Sequence, residues 1–198
     1  MSEPAERTSK RALRQRLVSA RRGQATTPLD EAARGLAERV ISLVQRTGSS
    51  TVAAYVSIGF EPPTELVLER LHAQGTTVLL PVLREDDDLD WAPYVPGEFR
   101  PGRLGLTEPA SVGLGITAIR SADVIFCPGL AGSPAGQRLG RGGGSYDRAL
   151  SRALPESLRC LLLYDDEVLP SIPTEPHDQR VDVLITPTRT ITTTPGRC

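Results

Sequence analysis

The chain has 198 residues, of which 39% are apolar and 24% charged, and a net charge of −1. That composition fits one ordinary globular domain spanning 1–198, and so small a net charge supplies no field for nucleic acid or an anionic bilayer, so neither is expected as a partner and any cationic function has to be local. The absence of a long apolar run, and of an apolar core near the N-terminus, removes a membrane span and a signal peptide from the expectations and leaves a cytoplasmic location.

In chain order, the first predicted element is a helix from a cap at Thr8 or Ser9 to about residue 22, with Leu13, Leu17 and Ala20 on one stripe. Lys10 and Arg14 are four apart and share a face bordering that stripe. Of the 23 cationic residues, Lys10 alone is a lysine, yet on this stretch by itself the pair reads as a solvated basic face. A second helix follows over 29–46, where Leu29, Ala33, Leu36, Val40 and Leu43 recur at helical spacing before Gly48. Residues 51–58, TVAAYVSI, are almost wholly apolar, as in a strand covered on both faces. Glu61 comes next, at the carboxyl end of that strand, where open α/β sheets place their ligands. Taken alone, it is equally a solvated loop carboxylate. A helix over 64–71 and a strand over 77–83 complete a strand, helix, strand unit, which implies a right-handed crossover and a parallel sheet.

The acidic run EDDDLD at 85–90 lacks the glycine and spacing of a calcium loop and reads as a solvated turn. An edge strand is predicted at 91–95. Residues 96–115, rich in Gly and Pro, are predicted as a long loop over the sheet, of a length often associated with function.

Residues 123–150, DVIFCPGLAGSPAGQRLGRGGGSYDRAL, carry the chain's densest chemistry. A short apolar strand empties through Gly136, Gly140, Gly142, Gly143 and Gly144 into an amphipathic helix starting near Ser145. Glycine lets backbone N–H groups approach a ligand, Arg138 and Arg141 bring fixed cationic forks, and a helix start contributes free N–H groups and a positive dipole end. The pattern therefore reads as an anion site. It is neither a Walker loop, which needs GK followed by Ser or Thr, nor a dinucleotide fingerprint, because Gly140, Gly142 and Gly144 give G-x-G-x-G. A strand over 159–164, a rigid proline-rich loop over 170–178, a last strand over 181–185 and a Thr-rich tail, frayed over about 188–198, complete the chain. Cys127, Cys160 and Cys198 are widely spaced and lack a C-x-x-C pair, so they support neither a disulfide framework nor a zinc site.

Two helices followed by alternating strands and helices predict an α/β fold with a mostly parallel central sheet and helices on both faces.

The motifs KRALR (10–14), Glu61-x-x-Thr64, LPVL (80–83), Trp91, GLTEP (105–109), PGLA (128–131), RLGRGGGSYDR (138–148) and IPTEPHDQRVDVLIT (172–186) occur in one order over most of the chain. In these the sequence resembles the 5-formyltetrahydrofolate cyclo-ligase family, also called methenyltetrahydrofolate synthetases. The resemblance implies a three-layer sandwich of the NagB/RpiA/CoA-transferase-like kind and an ATP-driven ring closure. In that reaction the formyl oxygen of 5-formyltetrahydrofolate takes the γ-phosphoryl group, N10 attacks the activated carbon, and phosphate leaves to give 5,10-methenyltetrahydrofolate. Such chemistry needs positioning and charge neutralisation rather than a covalent nucleophile.

Carried onto this chain, the resemblance implies ATP contacts from Lys10, Arg14, Arg138, Leu139, Gly140, Arg141, Gly142, Gly143, Gly144, Ser145 and Tyr146, with Arg138 and Arg141 as the catalytic cations. It implies folate contacts from Val56, Glu61, Arg141, Gly142, Gly143, Gly144 and Ser145, Glu61 accepting paired hydrogen bonds from the pterin. Asp147 and Asp178 would hold Mg²⁺, a small hard ion suited to carboxylates, waters and phosphate oxygens. For Asp147 the plainer roles are favouring the helix dipole or pairing with Arg148, and for Asp178 capping a turn. His177 either orients Asp178 or is a solvated loop residue, and His72 reads as helix surface. The protein is expected to act as a monomer on its small-molecule substrates. The chain departs from the family pattern at Ser145, where many relatives have a tyrosine, at Gly143, where some have a lysine, and at Gly132-Ser133, where Phe-Asp is usual. Two other readings stand beside this one: a non-catalytic nucleotide- or folate-binding or RNA-associated module, and a sugar-phosphate isomerase, which would need an acid/base pair and no metal.

Overall fold

The computed structural model describes residues 3–23 and 29–194. Helices α1 (Glu3–Gly23) and α2 (Leu29–Thr47) precede strand β1 (Thr51–Ala53), helix α3 (Glu65–Ala73) and strands β2 (Thr77–Leu83) and β3 (Leu89–Pro93). A short antiparallel pair, β4 (Phe99–Pro101) and β5 (Thr107–Pro109), leads to β6 (Val124–Pro128). A second small hairpin, β7 (Ala131–Gly132) and β8 (Arg138–Leu139), is followed by helix α4 (Ser145–Arg152) and strands β9 (Leu158–Leu162), β10 (Val183–Ile185) and β11 (Thr190–Thr192).

Seven strands form the central sheet in the order β11-β10-β9-β6-β1-β2-β3. The five inner strands run parallel, while β3 and β11 pair antiparallel at the two edges. β6 shows why an unbroken apolar run makes an inner strand. Val124 and Phe126 pack on one face with Leu36, Val40, Val67 and Leu71 of α2 and α3, and Ile125 and Cys127 pack on the other with Ala149 and Leu150 of α4. Alternate side chains leave a strand on opposite faces, so burial on both sides requires every position to be apolar. The expected helices on both faces of a mostly parallel sheet are therefore what the chain forms.

From β1 the chain crosses to β2 on one side, while β6 lies on the other side of β1. That makes the gap between β1 and β6 the switch point of the sheet, where the carboxyl ends of diverging strands leave a crevice. Across this end lies α1. Leu17 packs with Leu130, Ala131, Leu139 and Ile172, and Arg21, buried, donates to the carbonyl of Gly129 at 2.6 Å and to both carboxylate oxygens of Glu167. Arg21 keeps its charge because the Glu167 hydrogen bond and charge outweigh the effect of burial.

Several expectations need correction. The first helix begins at Glu3, upstream of the expected cap. β1 ends at Ala53, with Ala54 N–H still donating to the Leu79 carbonyl of β2 at 2.9 Å, and 55–58 run on outside the ladder, held instead by side chains: the Thr64 hydroxyl donates to the Tyr55 carbonyl at 2.8 Å and accepts from Ser57 N–H at 2.9 Å. The long loop over 96–115 contains the β4–β5 hairpin. The acidic turn is only partly solvated, since Asp88 bonds Arg152 at 2.5 Å and Asp90 accepts from Gly115 N–H at 2.6 Å. The tail expected to fray supplies edge strand β11, registered Val183 to Thr192 and Ile185 to Thr190; residues 195–198, Cys198 among them, lie outside the described residues.

Candidate active site

A cavity of about 410 Å³ opens at the switch point. Its floor comes from the loop after β1 (Tyr55, Val56, Ile58, Glu61), one wall from β2, β3 and the β4–β5 hairpin (Pro81, Leu83, Leu89, Leu106, Glu108), and the other from Arg138 and residues 140–147. The walls are mostly apolar with a few polar groups set among them, the usual make-up of a small-molecule site.

Glu61 is 8% exposed. One carboxylate oxygen, Oε2, accepts from Ile58 N–H at 3.0 Å, and the other, Oε1, lies 3.1 Å from Arg141 Nη2. Its backbone carbonyl accepts from the Tyr164 hydroxyl at 3.3 Å. The solvated-loop alternative for Glu61 thus fails; burial and these bonds orient the carboxylate in the cavity floor.

The glycine loop bends through left-handed backbone at Gly142 (φ 108°) and Gly144 (φ 72°), which a residue with a Cβ adopts only under strain. Gly144 caps α4, whose helix begins at Ser145 as the sequence indicates. The free N–H groups of its first turn and its positive dipole end therefore belong to the loop. Arg138 and Asp147, at the two ends of this loop, meet at 2.7 Å, and Asp147 also accepts from Gln179 N–H at 3.1 Å. Asp147 pairs with Arg138, not with Arg148, which instead donates to the Asp87 carbonyl at 2.7 Å. Burial opposes the Arg138 charge, while the charge and hydrogen bond of Asp147 favour it, and its pKa is raised. The Cys127 thiol beside it is pushed up to about 11 by burial and stays protonated.

Lys10 is 2% exposed, so the solvated-face reading of its helix does not hold for it. Its ammonium lies 2.5 Å from Asp178 Oδ2 and 3.1 Å from Glu175 Oε2. One turn on, Arg14 Nε donates to the Gly140 carbonyl at 3.0 Å, which puts its guanidinium on the glycine loop. Glu175, Asp178 and Arg138 share a second concavity of about 430 Å³, and Arg138 lines both. His177 is exposed, its Nε2 3.5 Å from Glu175 and 3.8 Å from Asp178. His72 sits on the surface of α3, edge-on to Tyr94.

The expected residues Val56, Glu61, Arg138, Gly140, Arg141, Gly142, Gly143, Gly144, Ser145, Tyr146 and Asp147 all line the cavity. Leu139 faces the α1 cluster instead, and Lys10, Arg14 and Asp178 lie on the loop's other side. At the family departure Gly132-Ser133, a Cβ on Gly132 would stand 2.8 Å from both Leu161 and Leu184, so those leucines fill the space a larger side chain would need. Sequence reasoning missed Tyr55, Leu106, Glu108 and Glu175. Leu106 and Glu108 fall within the GLTEP motif and Glu175 within IPTEPHDQRVDVLIT, while Tyr55 has no such signal; Glu108 is held under the hairpin by Leu83 N–H at 3.0 Å.

The sequence profile of the 5-formyltetrahydrofolate cyclo-ligase family matches residues 6–187. The chain is 42% identical over 146 residues to the 5-formyltetrahydrofolate cyclo-ligase of Mycolicibacterium smegmatis, covering 71% of this chain and 75% of that protein. It is 29% identical over 174 residues to that of Escherichia coli K12, covering 85% and 96%. The solved structure of Aquifex aeolicus 5,10-methenyltetrahydrofolate synthetase superposes with a TM-score of 0.75 at 27% identity, over 96% of this chain and 95% of that one. A profile match over nearly the whole chain, a relative at this identity and a shared fold agree: the chain belongs to the 5-formyltetrahydrofolate cyclo-ligase family.

Proposed function

We propose that the protein cyclises 5-formyltetrahydrofolate to 5,10-methenyltetrahydrofolate at the expense of ATP, as a single domain over 1–198, a monomer acting in the cytoplasm. The observation that carries this reading is the glycine loop between two concavities, with Arg138 lining both. The apolar cavity takes the pterin, Glu61 accepting from its amino group and ring N–H. The loop's N–H groups, Arg138 and Arg141 take the triphosphate, with Lys10 and Arg14 reaching it from α1. A γ-phosphoryl group held at Arg138 then faces the formyl oxygen. Transfer breaks the bond to the β-phosphate oxygen and forms one to the formyl oxygen; N10 attacks the carbon and loses its proton, and phosphate departs with that oxygen. The cations neutralise the charge spread over the phosphoryl oxygens, and that stabilisation in a dry site is the main catalytic contribution asked of this fold.

The residues present fit a divalent ion. Glu175 and Asp178 are hard oxygen donors, little exposed, and already gathered about a cation, the Lys10 ammonium, and their carboxylates lie with His177 within 4.8 Å of one another. Asp147 joins the same loop through Gln179 N–H. Asp147 and Asp178 would hold Mg²⁺, with Glu175 beside them; when bound, the ion neutralises phosphate charge. Each carboxylate among the described residues lining the cavity is already engaged, Glu61 with Arg141, Asp147 with Arg138, and Glu108 with Leu83 N–H and Arg100, which disfavours the acid/base pair a sugar-phosphate isomerase would need near the loop.

Incubation of the purified protein with Mg-ATP and 5-formyltetrahydrofolate is expected to raise methenyl absorbance and release ADP in equal amounts. Folded protein that binds both ligands without that signal would leave the binding-module reading in its place.

A further inference from the structure

Tyr55 follows β1 at the switch point and is 3% exposed. Its ring packs in the core beneath α2 and α3, and Tyr55 is one of the residues lining the cavity. The backbone carbonyl of Tyr55 is satisfied by Thr64. Its phenolic oxygen, by contrast, is buried with no hydrogen-bond partner among the described residues.

A phenylalanine would fill the same volume without a desolvated, unpaired hydroxyl, which destabilises a fold. Buried polar groups almost always have partners, and an orphan in a ligand cavity points to an atom of the ligand. Burial first, then the charge of Glu61, hold the Tyr55 phenol well above its ordinary pKa, so it is a neutral donor across the working range.

The chemistry of the heterocycle says which atom. Along one edge of the reduced pterin stand the 2-amino group, N3–H and the C4 carbonyl, two donors followed by an acceptor. A carboxylate and a phenol lining one cavity, as Glu61 and Tyr55 do, can together present the complement, two acceptors followed by a donor. We infer that Tyr55 contacts substrate directly, its hydroxyl donating to the C4 carbonyl oxygen while Glu61 accepts from the two N–H groups. This rests on the folate reading of the cavity.

The test measures binding of 5-formyltetrahydrofolate to wild type, Tyr55→Phe and Glu61→Gln by calorimetry, with and without a non-hydrolysable ATP analogue, together with the ligand-free melting midpoint. Tyr55→Phe is expected to weaken folate about tenfold, to leave analogue affinity within about twofold, and to keep or raise the midpoint. Unchanged folate affinity in Tyr55→Phe, with Glu61→Gln weakened, overturns the Tyr55 assignment and leaves the cavity reading intact. A lowered midpoint accompanying weaker folate binding also overturns it, because the hydroxyl would then be structural. Absence of folate binding in wild type, or unchanged binding in both variants, overturns the cavity reading and Tyr55 with it.

Discussion

Arg138 Nη2 stands 2.7 Å from Asp147 Oδ1, a bond that clamps the two ends of the glycine loop together. The same arrangement recurs twice: Arg141 on Glu61 at 3.1 Å and Lys10 on Asp178 at 2.5 Å. Three of the four cations proposed for phosphate are thus paired with a carboxylate proposed for metal or pterin, and the fourth, Arg14, rests on the Gly140 carbonyl. Such pairing keeps partly buried charges compensated before ligands arrive. It also means that nucleotide without a divalent ion has to leave a carboxylate unpaired.

Asp147→Asn should therefore narrow the difference between ATP affinity measured with and without Mg²⁺, because Arg138 no longer has to leave an anion behind. Ring closure in the same variant should fall about 100-fold or more, as should that of Arg138→Ala. Calorimetric titration of ATP in the presence and absence of Mg²⁺, with methenyl absorbance as the activity readout, checks both. An unchanged affinity ratio would show that Asp147 serves the loop's shape alone.

Glu61→Gln should weaken 5-formyltetrahydrofolate about tenfold or more while ATP affinity changes by less than about twofold, since a charged acceptor for two N–H groups is lost on one side of the site only. Arg141 is half exposed, so Arg141→Ala frees a Glu61 oxygen at little cost to stability. It is expected to leave folate affinity undiminished and to lower kcat. Fluorescence titration beside steady-state rates separates the two effects; equal loss of both ligands in Glu61→Gln would mean that this carboxylate shapes the loop.

Gly35 lies inside α2, where alanine ordinarily stabilises a helix by about 1 kcal/mol. Here a Cβ would sit 2.2 Å from the Pro187 carbonyl oxygen, between α2 and the turn into β11. Overlap with backbone cannot be relieved by a rotamer change, so Gly35→Ala should reverse sign and destabilise the fold by about 1–3 kcal/mol. Urea denaturation of the two proteins measures this directly.

Asp165 accepts from Thr186 at 2.6 Å, from Thr188 at 2.5 Å and from Arg189 at 3.3 Å, tying the turn before β11 to the end of β9. Burial would raise its pKa, yet these bonds outweigh that and hold it below the usual carboxylate value. A folded-state pKa below the unfolded one stabilises the protein above the unfolded pKa, and the contribution is lost as pH falls through that value to the folded one. Melting midpoints between about pH 6 and pH 3 should drop more steeply in wild type than in Asp165→Asn. Parallel curves would remove Asp165 from the acid response.

The sequence by itself determined the layers and the loop. Apolar runs such as that of β6 can only be inner strands, since both faces have to be buried, and five glycines with two arginines before Ser145 mark the loop that runs into α4 because those properties are local. Tertiary structure alone decided where the remaining charges went. Lys10 and Arg14 are four apart on any helix, but only the packing of Leu17 against Leu130 and Leu139 brings that helix across the sheet's end, burying Lys10 among Glu175 and Asp178, more than 160 residues away. Likewise, nothing near Tyr55 in the chain marks its hydroxyl as unpartnered. Whether a polar atom is satisfied depends on every neighbour the fold supplies, and periodicity carries no record of neighbours distant in the chain.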